Sequence, residues 1–133
     1  MKRLLSLLAL TVLITLPLSA ATITAGPGAG TGATITITGA ATDVAGRIHL
    51  NTGTIPAQSL AVLFTVNFST PYTKKPIVLL VPEGIDSFQL YGNHAVALKD
   101  NEIFPDHFVV RTGFSALQAQ HIYYGWSYLV IPQ

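Results

Sequence analysis

Cysteine and charge are what this chain has least of. Among its 133 residues there is no cysteine, which excludes a disulfide framework, a thiol nucleophile, a cysteine-ligated zinc ion and a lipidated cysteine. Only 10% of the residues are charged, whereas a soluble protein carries about 25%. Disordered proteins and nucleic-acid-binding proteins depend on charge, so the composition excludes both classes. The length accommodates one domain.

The N-terminus has the three parts of a secretory signal peptide. Lys2 and Arg3 are basic, residues 4–16 are uncharged and rich in leucine, and Pro17 is followed by small side chains. This pattern predicts a signal peptide over residues 1–20, because the apolar run is shorter than the about 20 residues that span a membrane. A retained membrane anchor is the alternative.

Cleavage after Ala20 or Ala21 fits the pattern, which is typical of bacteria. The product is then secreted, either to the periplasm or to the extracellular space, with no membrane insertion. Loss of Lys2 and Arg3 lowers the basic count from 7 to 5 against 6 acidic residues, so the net charge changes from +1 to −1. The mature chain therefore has no excess positive charge with which to bind nucleic acid.

The segment that follows differs in composition from the rest of the chain. Residues 21–39 are uncharged and rich in glycine, threonine and alanine. Within it, residues 26–33 are typical of a flexible connector, while residues 34–38 alternate as a short strand and residues 22–24 repeat that pattern weakly. We expect an N-terminal segment or linker over residues 21–39 and a β domain over residues 40–133.

From residue 40 onward the patterns are those of strands. Alternating positions or short apolar runs predict strands at Arg47–Asn51, Leu60–Phe68, Ile77–Val81, Phe88–Leu98 (one bent strand or two short ones), His107–Thr112 and His121–Ile131. Turn residues separate them, for example at residues 100–101 and 105–106. Short strands at this spacing predict an all-β sandwich or barrel.

Two strands carry further expectations. The run Ile77–Val81 is continuously apolar, which predicts a strand buried on both faces, and Leu60 is expected to point inward with Phe64. The last strand is apolar on both faces, with Tyr124 and Trp126 on one side and their neighbours on the other. Such a strand is central in a sheet or contacts another subunit. The predicted core comprises Phe64, Val66, Val78, Phe108, Tyr124 and Trp126.

Several short motifs in residues 43–131 resemble a known family. They are Thr42-Asp43-x-x-Gly46-x-Ile48-x-Leu50-x-Thr52-Gly53, Val66-x-Phe68-x-x-Pro71-Tyr72-x-x-x-Pro76-x-Val78, Phe108 with Val110, and Tyr124-x-Trp126-x-Tyr128-x-Val130-Ile131. The stretch resembles small β-sandwich domains of phage tail-fibre tips and of secreted bacterial proteins. Its second half is also similar to the H-type lectin domain, although Asp106-His107-Phe108 stands where relatives carry Gly-Phe.

The resemblance implies an antiparallel β-sandwich of six to eight short strands, commonly a homotrimer, that binds glycans or other surface ligands. Because a fold does not determine a function, the residues themselves must supply the site. The lectin's charged and aromatic sugar-binding residues have no evident counterparts here.

No catalytic constellation or cofactor motif is evident. The stretch 113–117 lacks the second glycine of a nucleophile elbow, and residues 28–33 lack the βαβ setting of a dinucleotide site. The histidines are scattered without the spacing of metal ligands, at His49, His94, His107 and His121. Glu83 and Asp86 flank Gly84 in a predicted loop, where solvation accounts for them. We therefore expect no enzyme activity, cofactor or metal.

The strongest binding candidate is the mixed stretch Phe88–His94. Aromatic and planar polar side chains together are typical of sugar sites, and function concentrates in loops. Candidate ligand-binding residues are Gln89, Tyr91, Asn93 and His94, with Arg111 from a nearby strand. The alternative is that the aromatic residues belong to the core and the polar ones are simply solvated.

Two functions compete at this stage. The first is a secreted, non-enzymatic β-sandwich that forms an oligomer and binds a surface glycan or polymer. The second is a structural subunit of an extracellular fibre or coat, in which the N-terminal segment pairs with the sheet edge of a neighbour.

Overall fold

The computed structural model describes residues 20–39, 42–56, 60–92, 96–114, 116–120 and 122–133. Residues 1–19, which hold nearly all of the predicted signal peptide, lie outside the described residues. The strands are β1 (Thr22–Ala25), β2 (Thr34–Thr38), β3 (Ala45–Asn51), β4 (Val62–Asn67), β5 (Ile77–Glu83), β6 (Val96–Ile103), β7 (His107–Thr112) and β8 (Ile122–Ile131). One helix, α1 (Gly84–Gly92), and a short 3-10 turn, Pro27–Ala29, complete the described elements.

The strands form two antiparallel four-stranded sheets that face each other. The first sheet has the order β1-β4-β7-β6 and the second the order β2-β3-β8-β5. Aromatic side chains meet between the sheets, where the ring centres of Phe64 and Trp126 lie 5.5 Å apart and those of Phe108 and Tyr128 lie 5.7 Å apart. This confirms the predicted all-β sandwich architecture.

The interior follows the predicted alternation closely. All six predicted core residues are buried, and β8 is central in the second sheet, between β3 and β5. Tyr124, Trp126 and Tyr128 of β8 point inward, whereas Tyr123 and Leu129 are exposed on the other face. Every second side chain of an extended strand shares a face, so the sequence period of two was a reliable guide here.

The N-terminal segment contributes one edge strand to each sheet. β1 pairs with β4, and β2 pairs with β3. The stretch expected to be a flexible connector is a packed crossing between the sheets, in which Gly28 and Ala29 are buried. Its carbonyl groups accept hydrogen bonds from the N–H groups of Gly53 (2.9 Å) and Thr54 (2.9 Å). A side chain at position 53 would collide with the Thr31 carbonyl, since a Cβ there would lie 2.0 Å from its oxygen.

The prediction of strand structure from residue 88 was wrong. Residues 84–92 form α1, and β6 begins only at Val96. Gly84 has a φ of 77°, a conformation suited to glycine that ends β5. The helix is then fixed by Ser87, whose buried hydroxyl accepts a 2.7 Å hydrogen bond from the N–H of Gly125 in β8. Tertiary contacts thus override the weak local strand pattern.

Three smaller expectations also need correction. β6 continues through residues 100–101, and the hairpin turns at 105–106, where the N–H of Phe104 donates to the His107 carbonyl over 2.8 Å. Leu60 is exposed because a bulge between Val62 and Phe64 shifts the register. The run Ile77–Val81 is buried on one face only, since Ile77, Leu79 and Val81 lie on the outer face of the sheet and are exposed.

The motif around Thr42 and Asp43 joins the loops at one end of the sandwich. The Asp43 carboxylate accepts hydrogen bonds from the N–H (2.7 Å) and hydroxyl (2.6 Å) of Ser69, and its carbonyl accepts one from the Tyr72 hydroxyl (2.8 Å). The Tyr128 hydroxyl donates to the Thr42 carbonyl over 2.6 Å. These motif residues therefore stabilise the loops at this end of the sandwich.

Within the described part of the chain, no helix has the length and apolar character needed to cross a membrane.

Candidate functional site

The binding residues expected from the sequence do not form one site among the described residues. Gln89 and Tyr91 lie on α1, and the Gln89 side chain is exposed. Asn93 and His94 lie outside the described residues. Arg111 lies on β7, in the first sheet, whereas α1 packs mainly against β5 and β8 of the second.

Arg111 has structural partners. Its Nε donates to the Glu102 carboxylate on β6, and its guanidinium donates to the Leu60 carbonyl over 2.8 Å. The side chain thereby links the segment that precedes β4 to the edge strand β6. A partly exposed ion pair of this kind contributes modestly to stability.

The outer face of the second sheet carries a strip of aliphatic side chains, which we call the apolar face. It consists of Ile77, Leu79 and Val81 on β5 and Leu129 and Ile131 on β8, each between 41% and 57% exposed. The strands are paired so that Ile77 lies beside Ile131 and Leu79 beside Leu129. The strip is therefore contiguous across both strands.

The outer face of the first sheet has a different character. Across β1, β4 and β7, Thr24, Thr65 and Val109 are paired in one row. Thr22, Asn67 and His107 are paired in the next row on the same face. Only one of these is aliphatic, and it is partly buried. The two outer faces of the sandwich are thus chemically distinct, with hydroxyl-bearing side chains on one and aliphatic side chains on the other.

A polar group borders the apolar face at the far end of β5. Glu83 accepts hydrogen bonds from the Ser127 hydroxyl on β8 and lies 3.2 Å from Nε of Arg47 on β3. Both contacts use the same carboxylate oxygen, Oε1. Glu83 is therefore held in place across the width of three strands.

Beyond this group lies a pocket of about 290 Å³, which we call the Tyr123 pocket. It sits where β3, β5, β8 and the start of α1 meet. Its lining residues are His49, Glu83, Gly84, Ile85, Asp86, Tyr123 and Gly125.

The aromatic wall of the pocket is positioned by a bulge in β8. Leu50 pairs with Tyr124 and Asn51 with Ile122, so Tyr123 has no partner across the strands. Tyr123 has a φ of 99°, which is rare for a residue with a side chain, and it is 62% exposed. Its ring centre lies 5.3 Å from that of His49, with the planes tilted by 41°.

The acidic wall comes from the β5–α1 junction. Glu83 ends β5, and Asp86 occupies the first turn of α1, where a negative charge is favourable to the helix. Burial raises the pKa of Tyr124, whose side chain lies on the inner face of β8, and the charge of Asp86 adds to this increase. At the rim, Ile85 is 73% exposed.

Sequence reasoning noted these residues separately but did not assemble them. Glu83 and Asp86 were assigned to a solvated loop, and Tyr123 was assigned to the outer face of β8. The signal that joins them is the helix after Gly84, marked by apolar residues at 85, 88 and 91, a spacing of three. The bulge has no comparable signal.

This arrangement can hold a small polar ligand with one flat face. An aromatic ring offers a contact surface, while carboxylates and an imidazole offer hydrogen bonds at its edge. Within the described residues, no group of three or more histidine, aspartate or glutamate side chains is arranged to hold a metal ion.

Comparisons with known proteins return no match to a family model, a curated protein or a solved structure. The resemblance to tail-fibre-tip and H-type lectin domains therefore stays a prediction.

Proposed function

We propose that the chain is a secreted, non-enzymatic β-sandwich that assembles with copies of itself and binds a surface glycan or polymer. The observation that supports it best is the exposed apolar face on one side of the sandwich. The finer expectations, an H-type-lectin-like fold and a homotrimer, derive from the resemblance of the sequence motifs.

The composition of the apolar face is typical of a surface that is buried in an interface. Fully burying one aliphatic side chain contributes about 1.5–3 kcal/mol, so covering each half-exposed residue would contribute about 1 kcal/mol. Contiguous apolar patches of a few hundred Å² on a soluble protein usually mark an interface. The continuous apolar run of β5, which suggested burial on both faces, is then explained by burial in the assembly.

A second copy of the chain is the occupant that fits this face. Copies related by a twofold axis present the same face to one another, whereas in a closed trimer the apolar faces of the three copies meet around the threefold axis, so that no face is left uncovered. The low charge of the chain favours the same conclusion, because few ionic side chains are present to oppose the contact.

Light scattering on the processed chain at micromolar concentration tests self-assembly. We expect a mass of about 36 kDa for a trimer, against about 12 kDa for one chain. Leu79→Asp, in the middle of the apolar face, should shift the mass toward one chain. Thr24→Asp, at an exposed position of the edge strand β1 in the first sheet, is the matched control and should leave the mass unchanged.

A wild-type mass of one chain would overturn the assembly proposal. Equal effects of Leu79→Asp and Thr24→Asp would also contradict it, because loss of strand stability would then explain both results.

A glycan-array screen of the size-fractionated protein tests the binding half of the proposal. Binding that is confined to the assembled fraction is expected, since several weak sites on one particle act together. Absence of binding to every glycan and surface polymer tested would overturn it.

Mass spectrometry of the exported protein tests secretion. The expected N-terminus is Ala21 or Thr22, and an intact Met1 on a membrane-free product would contradict the proposed processing.

The fibre alternative is favoured by one observation: β1 and β2 are both edge strands. An edge strand can be replaced by the same strand of a neighbour, which links copies into a chain. Such a protein should elongate with concentration, whereas a closed trimer keeps one mass. Deletion of residues 21–39 cannot separate the two, because it removes a strand from each sheet.

A further inference from the structure

We infer that the edge of β2 pairs with the same edge of a second copy of the chain, in antiparallel register about a twofold axis at Thr36. This contact goes beyond the proposed function, because it does not use the apolar face. In the second sheet, with the order β2-β3-β8-β5, β2 forms one edge, whereas the apolar face lies on β8 and on β5 at the other edge.

The direction of the backbone groups in β2 follows from the neighbouring strands. The N–H of Val130 in β8 donates to the carbonyl of Val44, just before β3, over 2.7 Å. Backbone groups of successive residues in a strand point to alternate sides, so the even-numbered residues of β3 point to β8 and the odd-numbered ones to β2. The odd-numbered residues of β3 are paired with Thr34, Thr36 and Thr38.

The N–H and C=O groups of Ile35 and Ile37 therefore point away from β3, toward the edge of the sheet. Within the part of the chain that the structure describes, neither residue has a backbone hydrogen bond on that side. Natural sheets protect such an edge with charge, proline or a bulge. The sequence of β2, Thr-Ile-Thr-Ile-Thr, has no charge and no proline, and its pairing with β3 has no register shift.

One twofold register uses all four of these edge groups. With the axis at Thr36, Ile35 of each copy lies opposite Ile37 of the other, and the two pairs exchange four hydrogen bonds. An axis at Ile35 would need the N–H of Ala33, which already donates within its own chain over 3.3 Å. An axis at Ile37 would need Gly39, whose φ of 78° ends the strand.

The side chains of β2 are self-complementary in the same register. The sequence of the strand reads the same in both directions, so the axis places threonine opposite threonine and isoleucine opposite isoleucine. The threonine side chains are exposed on the outer face, where cross-strand threonine pairs stabilise a sheet. The isoleucine side chains are half-buried against the core, and a partner strand would cover them further.

The contact is short, so we expect it to be weak. It involves five residues of each copy, which bury less than the about 1,000 Å² of a stable interface. It therefore forms at high protomer concentration, or between copies that are already held close together. On its own it closes at two chains, whereas together with a contact through the apolar face it joins one assembly to the next.

Disulfide cross-linking of the processed chain tests the register, because the chain has no cysteine of its own. Thr36→Cys would place two thiols opposite each other at the axis, in a non-hydrogen-bonded pair. The Cα atoms of such a pair lie about 4.5 Å apart, which is within the range for a disulfide. Mild oxidation of the concentrated protein should give a cross-linked dimer.

Thr34→Cys is the matched control, on the same strand and the same exposed face. In the inferred register position 34 faces position 38, so the two copies of position 34 lie about 14 Å apart along the strand and cannot form a disulfide. We expect at least tenfold less cross-linked dimer than for Thr36→Cys. A mixture of Thr34→Cys and Thr38→Cys should cross-link as well as Thr36→Cys does.

Charge at the axis gives a second test, made in a Leu79→Asp background so that assembly through the apolar face does not contribute. In that background, light scattering should show a mass that rises with concentration toward two chains and stops there. Strand replacement would instead let the mass grow further. Adding Thr36→Lys or Thr36→Glu brings like charges together across the axis, so each variant should stay at one chain. An equal mixture of the two should again approach two chains, whereas a destabilised strand would not be rescued by mixing.

The outcomes separate this inference from the proposed function. Equal cross-linking at positions 34 and 36, no cross-linking at either position, or a failure of the mixture to pair would overturn the inference. If wild-type protein assembles and Thr36→Cys cross-links no better than Thr34→Cys, the proposed assembly stands and the inference falls. If wild-type protein at micromolar concentration has the mass of one chain while concentrated Thr36→Cys cross-links selectively, the proposed assembly falls and the inference stands.

Discussion

Replacing Trp126 by alanine is expected to lower the free energy of unfolding by about 3–5 kcal/mol. The indole is fully buried, with its ring centre 5.5 Å from that of Phe64 in the opposite sheet and 6.3 Å from that of Tyr124. A buried aromatic side chain withdraws about 150–250 Å² from water, which at about 25 cal/mol per Å² contributes about 4–6 kcal/mol. Alanine retains only a small part of this burial.

Replacing Trp126 by phenylalanine should have a much smaller effect. The indole nitrogen is buried without a hydrogen-bond partner among the described residues, and an unpaired buried N–H group costs about 1–3 kcal/mol. Phenylalanine removes that cost but leaves a cavity of about 40 Å³, which costs about 1 kcal/mol. Because the two terms oppose each other, we expect stability within about 1 kcal/mol of the wild type.

Urea denaturation followed by circular dichroism measures both variants, since Trp126 is the only tryptophan and fluorescence is lost with it. All samples should be measured at the same protomer concentration, because self-assembly makes the free energy of unfolding depend on concentration. A loss below about 1 kcal/mol for Trp126→Ala would refute its place in the core. A loss above about 2 kcal/mol for Trp126→Phe would show that the indole N–H has a partner after all.

The other predictions concern Asp43, Tyr128 and Gly46, which lie at the end of the sandwich where the Thr42–Asp43 motif joins the loops. Burial, with a smaller contribution from Asp43, raises the pKa of Tyr128 from 10.0 to about 12. The folded state therefore holds this proton more tightly, so the contribution of Tyr128 to the free energy of unfolding should be constant below about pH 10 and fall by about 2–3 kcal/mol as the pH rises to about 12. Tyr128→Phe should reduce this decline in denaturant titrations, and an unchanged decline would contradict the assignment. Asp43→Ala removes the acceptor of the Ser69 hydrogen bonds and should lower the free energy of unfolding by about 1–3 kcal/mol in thermal or urea unfolding. An unchanged free energy of unfolding would mean that these hydrogen bonds do not stabilise the loop at Ser69. Gly46→Ala should destabilise the chain measurably, because a Cβ there would lie 2.7 Å from the Tyr128 ring and 2.8 Å from its hydroxyl, and Gly46→Ala in a Tyr128→Phe background should show how much of the clash is due to the hydroxyl.

The strands with strict alternation were predictable from the sequence. In β8 the period of two assigns Tyr124 and Trp126 to the interior, and from Tyr124 onward the pairing with β3 and β5 keeps the strand in register. Where a bulge intervenes, the period misleads. Leu60 was expected to point inward with Phe64, and the register shift before Phe64 leaves it outside.

The helix α1 and the pocket were beyond sequence reasoning for a physical reason. The helix forms at a Gly84 turn and is fixed by Ser87 bonding to Gly125, a contact between residues far apart in sequence. The pocket needs that helix to bring Asp86 beside Tyr123. Composition could supply the residue types but not the contact that assembles them.

The apolar face marks an intermediate case. The run Ile77–Val81 correctly indicated a strand, and its lack of polar residues indicated that both faces avoid water. A single chain buries only one of the two, because the other is the outer face of the sandwich, where Ile77, Leu79 and Val81 are exposed. The pattern therefore carries information about the assembly that one folded chain does not display.

The position of β8 has a consequence for how the chain folds. The last described strand is the centre of the second sheet, and both β3 and β5 hydrogen-bond to it. Neither β3 nor β5 can complete its ladder until β8 has been synthesised, so the second sheet cannot form before that strand is available. Long-range pairing of this kind slows folding.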